Sequence, residues 1–190
     1  MQPDVQHYID AVWILVGIYW AVGALRTKRT VRRQSTLSMA LHILILCVAG
    51  LLVWDRATAI GLLGHRLTPA ADWVQWLGFA LTVCGCAFTI WARACLGSNW
   101  NAIATVKQDH ELISRGPYAL VRHPIYSGLL LALLGTAIAA GEIRAFAGLG
   151  LAFIGFLLKS AAEEQLMREQ FSDEYARYSQ RVRRLIPFIL

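Results

Sequence analysis

The sequence predicts an all-α integral membrane protein with about five transmembrane helices, and three observations lead to this fold class. Of the 190 residues, 57% are hydrophobic and only 16% are charged, which is too apolar for a soluble protein of one-domain length. Several stretches hold few or no charges over the roughly 17 to 25 residues that cross a bilayer. Lys and Arg are concentrated in alternate connections between these stretches. The chain is therefore expected to form one membrane domain, residues 1–190, with three spans in 1–92 and the candidate functional half in 93–190.

The five spans follow from the apolar stretches in chain order. The first runs from about Ile9 to Leu25, the second from Leu37 to Trp54, and the third from Trp73 to about Ala92. The fourth and fifth come from the apolar run between Ile125 and Leu158, which is about twice as long as one span needs to be. This run is interrupted once, at Gly141–Arg144. Those four residues are therefore predicted to form the tip of a helical hairpin.

Positive charge is distributed unevenly between the two sides of the predicted bundle. Segments 26–36, 93–124 and 159–190 hold fifteen of the eighteen Lys and Arg residues. Because positive loops are retained in the cytoplasm, the N-terminus is predicted outside and the C-terminus inside. The residues before the first span contain no Lys or Arg, so a cleaved signal peptide is not expected. The net charge of +6 is attributed to attraction to anionic lipid headgroups and not to nucleic acid.

The four cysteines do not form a recognisable metal or disulfide pattern. Cys47, Cys84 and Cys86 lie within predicted spans, and Cys95 lies just beyond one. Cys84 and Cys86 are two residues apart, so they point to different faces of a helix. We interpret the cysteines as small packing residues and expect no metal site.

Two further patterns describe the second half of the chain. Each arm of the predicted hairpin carries small residues at helical spacing, which favours close approach of membrane helices: Gly128, Ala132 and Gly135, then Gly148, Ala152 and Gly155. Beyond Lys159, apolar and aromatic residues recur at intervals of three and four from Phe171 to Leu185. This period predicts an amphipathic C-terminal helix on the cytoplasmic side, which Pro187 ends.

The first of three polar clusters lies where the fourth span begins. Pro124 suits the first turn of a helix, so the helix N-terminus should face Arg122 and His123. Unpaired N–H groups and the helix dipole make such an end suitable for a ligand carboxylate.

The other two clusters lie on the same predicted side. In the second, Asp109–Ile113 is followed by a Gly-Pro turn that should fold this strip back toward the fourth span. Tyr118 and Tyr126 could then stack on a base or face a cation. The third comprises Lys159, Glu163 and Glu164. Lys159 and Glu163 share a helix face, which is typical of a salt-bridged helix exit and also of a site at a membrane mouth.

Taken in order, these pieces resemble the isoprenylcysteine carboxyl methyltransferase family, with related phospholipid methyltransferases, over roughly residues 98 to 190. The chain is most similar to the short prokaryotic members, which implies a bacterial inner membrane. The ordered series is His110-Glu-Leu-Ile, Gly116-Pro-Tyr, Arg122-His-Pro-Ile-Tyr-Ser-Gly, Glu163-Glu, Phe171-Ser-Asp-Glu-Tyr, Tyr178, Arg181-Val and Ile186-Pro-Phe-Ile.

The resemblance implies S-adenosylmethionine as methyl donor, S-adenosylhomocysteine as product, and a lipid-like or prenylated acceptor that enters from the bilayer. It implies catalytic roles for Arg122 and Glu163 and a substrate-binding role for Lys159. Lys159 replaces an arginine of the family near the acceptor, and lysine lacks the planar two-donor fork that suits a carboxylate. The donor-binding positions that carry over are His110, Glu111, Leu112, Ile113, Tyr118, His123, Pro124, Ile125, Tyr126 and Glu163.

Several functions remain open at this point. Carboxyl O-methylation is the leading hypothesis, and it requires no general base. N-methylation of a phospholipid amine is the alternative within methyl transfer, and there Glu163, Glu164 or His123 would accept a proton. An NADPH-dependent membrane reductase is the alternative outside it, because membrane sterol reductases resemble the same half of the chain. A protein that keeps the fold without turnover is disfavoured by the near-complete motif series.

Overall fold

Five α-helices make up most of the computed structural model, which describes residues 4–24, 32–33, 36–97, 105–106, 112–187 and 189. The helices are α1 (Val5–Ala24), α2 (Thr36–Trp54), α3 (Asp72–Leu96), α4 (Pro124–Ala140) and α5 (Ile143–Arg181). Two strands of two residues each, β1 (Arg32–Arg33) and β2 (Thr105–Val106), pair antiparallel. Short 3-10 helices cover Arg56–Thr58, Gly61–Gly64 and Gly116–Ala119. The predicted all-α class is confirmed.

The predicted spans all coincide with helices. By length and composition, α1, α2, α3 and α5 are long and apolar enough to cross a membrane. Helix α4 is also apolar but has 17 residues, which is the lower end of the usual range for a span. Gly141 ends α4 in the left-handed conformation, with φ 77°, and α5 begins two residues later. The predicted hairpin tip is therefore confirmed.

The outer surface of the bundle is apolar, as expected for helices in lipid. Ile14, Leu15, Leu37 and Leu44 are all more than half exposed. A soluble protein rarely exposes so much contiguous apolar surface, whereas hydrocarbon solvates it without penalty. The chain is an integral membrane protein.

Small residues decide which helices pack together. An added Cβ at Gly135 would lie 2.4 Å from the carbonyl oxygen of Gly78 on α3. An added Cβ at Gly148 would lie 2.7 Å from the carbonyl oxygen of Ala49 on α2. The small-residue face of α4 therefore packs on α3, and that of α5 packs on α2. Backbone contact this close is possible only where a helix lacks side chains.

The C-terminal amphipathic helix is the end of α5 rather than a separate helix. Helix α5 has 39 residues and is interrupted only at Ser172, with φ 33° and ψ −105°. After Ser172, Tyr175 and Tyr178 are buried, whereas Glu174 and Arg177 are exposed, which fits the predicted period.

The predicted helix end at Pro187 is wrong. Helix α5 ends at Arg181, and Val182 is extended, with φ −115° and ψ 131°. The chain turns there because its backbone finds another partner: Arg122 N–H donates to Arg183 O over 2.7 Å, and His123 N–H donates to Arg184 O over 3.0 Å. This C-terminal return, residues 182–187, lies against the residues that precede α4.

Candidate active site at one end of the bundle

The N-terminus of α4 positions the candidate site. Pro124 is buried at the first helical position, and His123 is the N-cap residue with no side-chain capping bond. Without that capping bond, the N–H groups of Ile125 and Tyr126 point out of the helix end with no intrahelical acceptor. The helix end is therefore electropositive and suited to an anionic group.

A stack of three rings joins α4 to α5. The His123 and Tyr126 rings are nearly parallel, with centroids 5.5 Å apart and planes inclined by 6°. On its other face Tyr126 stacks on Phe156, at 4.9 Å and 11°. Tyr126 is also fixed at its hydroxyl, which donates to Glu163 Oε1 over 2.6 Å. Stacking and the hydrogen bond together determine the orientation of both His123 and Tyr126.

His123 lies between two carboxylates. Its Nδ1 is 3.4 Å from Glu163 Oε2, and its Nε2 is 3.4 Å from Glu164 Oε1. Burial by itself lowers the pKa of His123, but the two carboxylates outweigh burial and raise the pKa above its ordinary value. The two carboxylates therefore stabilise the imidazolium form of His123. Lys159, which is buried, also acts electrostatically on Glu163.

Glu164 is the centre of a buried ion cluster behind His123. Its side chain is 2% exposed. Arg122 donates to Oε1 from Nε and Nη2, at 2.9 and 2.8 Å. Arg184 donates to Oε2 from Nη2, at 3.0 Å, and Arg168 lies 3.6 Å away. A buried carboxylate is stable only with such partners, so the cluster is a fixed part of the fold at this end.

The C-terminal return completes the site from the other side. Arg122 Nη1 donates to Ser179 O over 3.0 Å and also to Val182 O. The Tyr178 hydroxyl donates to Tyr118 O over 2.6 Å. Arg184 was missed as a candidate residue, although the Arg181-Val and Ile186-Pro-Phe-Ile motifs flank it. Those motifs were a signal that residues after α5 take part in the site.

Most predicted site residues lie at this one end. His123, Pro124, Ile125, Tyr126 and Glu163 form the cluster described above. Tyr118 is buried and acts electrostatically with both Tyr126 and Glu163. Burial raises the pKa of Tyr118 above its ordinary value, so its hydroxyl stays protonated.

The remaining predicted residues make other contacts or lie outside that cluster. Arg122 directs its donors at Glu164 and at backbone carbonyls. Leu112 and Ile113 are half-buried, and within the described ranges no hydrogen bond or ring contact joins them to the cluster. His110 and Glu111 lie outside the described residues.

The described residues fit the charged and aromatic parts of S-adenosylmethionine. His123 Nε2 is buried, and its 3.4 Å approach to Glu164 Oε1 is an ion-pair contact without hydrogen-bond geometry. An acceptor atom of a bound ligand would complete its hydrogen bonding. The α4 N-terminus suits the donor's carboxylate, Glu163 suits its ammonium group, and the Tyr118 and Tyr126 rings suit a base.

Several known proteins resemble this chain in sequence. The model of the phospholipid methyltransferase family matches residues 73–174, which is more than half of the chain. Protein-S-isoprenylcysteine O-methyltransferase B of Arabidopsis thaliana is 27% identical over 120 residues, covering 62% of this chain and 61% of that protein. Human protein-S-isoprenylcysteine O-methyltransferase is 29% identical over 151 residues, covering 78% of this chain and 53% of that protein. The chain thus spans about half to three fifths of these relatives.

A solved structure shares the fold. The eukaryotic intramembrane Ras methyltransferase, isoprenylcysteine carboxyl methyltransferase, superposes with a TM-score of 0.59 over 82% of this chain and 54% of that one, at 23% identity. At this identity the likeness concerns the arrangement of helices. The resemblance to isoprenylcysteine carboxyl methyltransferases is thus confirmed in sequence and in fold, and by the match over residues 73–174 the chain belongs to the phospholipid methyltransferase family.

Proposed function

We propose that this protein is a membrane methyltransferase that uses S-adenosylmethionine and methylates a lipid-like acceptor, with carboxyl O-methylation as the leading reaction. The observation that carries the proposal is the meeting of His123, Tyr126 and Glu163 at the N-terminus of α4. This cluster lies within the residues that match the phospholipid methyltransferase family.

The donor side of the site binds S-adenosylmethionine and orients it. S-adenosylmethionine supplies a methyl group on a sulfonium, an activated carbon that a nucleophile displaces in line. The α4 N-terminus and His123 hold the carboxylate of the donor, and Tyr118 and Tyr126 pack against its base. Glu163, fixed by Tyr126, holds the donor's ammonium group. Because the rings are stacked and hydrogen-bonded before ligand arrives, little entropy is lost on binding.

Arg122 acts as a positioning residue in this proposal. Its guanidinium donates to Glu164, to Ser179 O near the end of α5 and to Val182 O in the C-terminal return, so it fixes Glu164 beside His123. The prediction that Arg122 is a catalytic group that touches the reacting atoms stays open. A conservative Arg122→Lys variant distinguishes the two roles, since lysine keeps the charge but loses the two-donor fork.

A carboxylate acceptor fits the charges on the acceptor side. The Lys159 ammonium attracts an anion, and a carboxylate needs no base before it attacks a methyl group. Glu163 gives specific support to the second candidate, N-methylation of a phospholipid amine. Its side chain is 20% exposed and could accept the proton that an amine loses.

The site is proposed to face the cytoplasm of a bacterial inner membrane. The C-terminal return and the residues before α4 carry the basic side chains that positive-inside retention favours on that side. A lipid-like acceptor would then enter sideways from the bilayer, while the soluble donor enters from the cytoplasm. Residues 1–190 act as one domain in this proposal.

Ligand titration of the purified full chain tests the donor assignment. We expect S-adenosylmethionine to bind and NADPH not to bind. His123→Ala and Glu163→Gln should each weaken S-adenosylmethionine at least about tenfold, because each removes a charge-assisted contact. Glu174→Gln, at an exposed position on α5, is the matched control. Binding of NADPH alone would overturn the proposal.

Methyl transfer to membrane extracts tests the acceptor class. With S-adenosylmethionine labelled in its methyl group, the product should lose its label in mild alkali, which cleaves methyl esters but not methylamines. Label that survives alkali would instead establish N-methylation. Lys159→Ala should raise the KM for an acidic acceptor while leaving the affinity for S-adenosylmethionine unchanged.

A further inference from the structure

A polar cavity lies at the end of the bundle remote from the candidate site. Its volume is about 530 Å³, within the roughly 300 to 1,000 Å³ of small-ligand sites. It is bounded by the start of α1, the end of α2 with the connection that follows, α3 near Gln75, and the tip of the α4–α5 hairpin. The 17 residues of α4 separate it from His123 by about 25 Å. The proposed methyl transfer does not use it.

The cavity closes at its base on a satisfied ion pair. Arg144 is 3% exposed and donates to Glu142 Oε2 over 2.5 Å. It also donates to the carbonyl oxygens of Leu52 and Val53, at 2.9 and 2.8 Å. These contacts join α5 to the end of α2, and the Arg144–Glu142 pair adds no net charge to the cavity.

The remaining charges are segregated by element. Asp4, His7 and Asp10 line the cavity from the start of α1, with His7 Nδ1 3.5 Å from Asp4 Oδ2, whereas Arg56 and Arg66 line it from the connection after α2. Asp10 accepts one hydrogen bond, from Gln6 Nε2. Arg66 is anchored through Thr68 O and Ala140 O. Arg56 is exposed, and its guanidinium makes no hydrogen bond or ion pair within the described ranges. One wall is therefore anionic and the other cationic.

Aromatic side chains place the cavity at the depth of lipid headgroups. Trp54 lines the cavity, and Tyr8 stacks on Trp76 beside it, with centroids 6.1 Å apart. Tyr8, Trp54, Trp73 and Trp76 are between 38% and 67% exposed at this end of the bundle. Tyr and Trp concentrate where hydrocarbon meets the headgroups. The nearest source of a dipolar ligand is therefore the adjacent leaflet.

We propose that this cavity binds the headgroup of a phospholipid that carries both a phosphate and a primary ammonium. Arg56 and Arg66 hold the phosphate, and Asp10, supported by Asp4, holds the ammonium. A lipid with phosphate alone makes only half of these contacts. The site is structural or regulatory and lies in the leaflet opposite the candidate active site.

Native mass spectrometry of the detergent-purified full chain tests this with two lipids of matched acyl chains, phosphatidylethanolamine and phosphatidylglycerol. The wild type should bind phosphatidylethanolamine about fivefold more tightly. Asp10→Asn should abolish that preference by weakening phosphatidylethanolamine alone, because only this lipid has an ammonium. Arg56→Gln should weaken both lipids. Glu174→Gln and Arg177→Gln, single changes at exposed positions on α5, are the charge-matched controls for Asp10→Asn and Arg56→Gln and should leave both affinities unchanged.

Two further arms separate this site from other sources of binding. Glu163→Gln, in the candidate active site, should leave the lipid preference intact, whereas loss of the preference there would assign the lipid to the methyl-transfer site. Soluble phosphoethanolamine should bind much more weakly than the lipid. Equal affinity for the two would overturn the inference that the ligand comes from the membrane. Equal affinity of the wild type for both lipids would overturn the proposal, whatever the outcome for S-adenosylmethionine.

Discussion

Individual side chains at the candidate site are held by charge. The two ring nitrogens of His123 each lie 3.4 Å from a carboxylate oxygen, one of Glu163 and the other of Glu164. These two acidic residues are adjacent in sequence. They diverge because Glu163 meets Tyr126 while Glu164 meets Arg122 and Arg184. The Glu163 carboxylate is therefore partly exposed beside His123, whereas the Glu164 carboxylate is buried and bound by arginines.

The raised pKa of His123 predicts a pH-dependent stability. A raised folded-state pKa contributes stability that is fully present below the unfolded value of about 6.5 and is lost as pH rises through the folded value. The melting temperature of the wild type should therefore fall as the pH rises above about 6.5. His123→Asn should remove this dependence. Fluorimetric melts from pH 5.5 upward measure it.

The matched control is His65→Asn, at an exposed position near the other end of the bundle. It should keep the wild-type pH profile. A His123→Asn profile that parallels the wild type would contradict an imidazolium at this position.

Glu164→Gln hardly changes the size of the side chain, but its loss of charge should lower the free energy of unfolding substantially. Glu164→Gln leaves Arg122 and Arg184 directed at a neutral amide, and breaking a buried ion pair costs about 3–5 kcal/mol. Glu174→Gln is exposed and should change stability by less than about 0.5 kcal/mol. Equal denaturation midpoints for the two variants would show that the cluster is not stabilising.

At the scale of helices, glycine determines the packing. Helix α4 contacts α3 through Gly128 and Gly135, and α5 contacts α2 through Gly148 and Gly155. Thr82 on α3 adds polar contacts across the interface with α4, since its hydroxyl donates to Ala132 O over 3.2 Å and lies 3.3 Å from Thr136 Oγ1. Because lipid and side chains are equally apolar, close backbone contact supplies much of the attraction between these helices.

Gly135→Ala should destabilise the bundle by about 1–3 kcal/mol, because its Cβ must displace α3 backbone. Gly150→Ala introduces the same methyl group in α5, where nothing lies within 4 Å. It should be neutral or slightly stabilising, since alanine favours a helix over glycine. Unfolding in increasing denaturing detergent compares the two. The packing assignment fails if both variants behave alike.

At the scale of the whole molecule, the two proposed sites lie at opposite ends of α4. The candidate active site lies where α4 begins, and the polar cavity lies where α4 ends. In the proposed orientation, each site would therefore face a different leaflet.

Labelling with a membrane-impermeant maleimide tests the orientation in intact cells. In a background with the four native cysteines replaced, Leu62→Cys should label, because Leu62 is 70% exposed in the connection predicted outside. Gln180→Cys, exposed near the end of α5, should label only after the membrane is permeabilised. The reverse pattern would place the candidate active site outside the cell.

The sequence by itself determined the features that depend only on residues close together in the chain. Hydropathy over a window of one span locates each helix, because partition into lipid is a property of that segment alone. Gly141 and Pro124 punctuate the hairpin through their own backbone preferences. The motif series by itself indicates the family and marks His123, Tyr126 and Glu163 as candidate site residues.

Only the tertiary structure decided which partners these segments take. The small-residue faces do not reveal that α4 pairs with α3 and α5 with α2, since glycine permits contact without selecting a partner. The ion cluster joins Glu164 to Arg122, 42 residues away, and to Arg184, 20 residues away. The C-terminal return ends α5 at Arg181 because its carbonyls pair with Arg122 and His123. Such contacts depend on where the whole chain brings distant residues, and no local pattern records that.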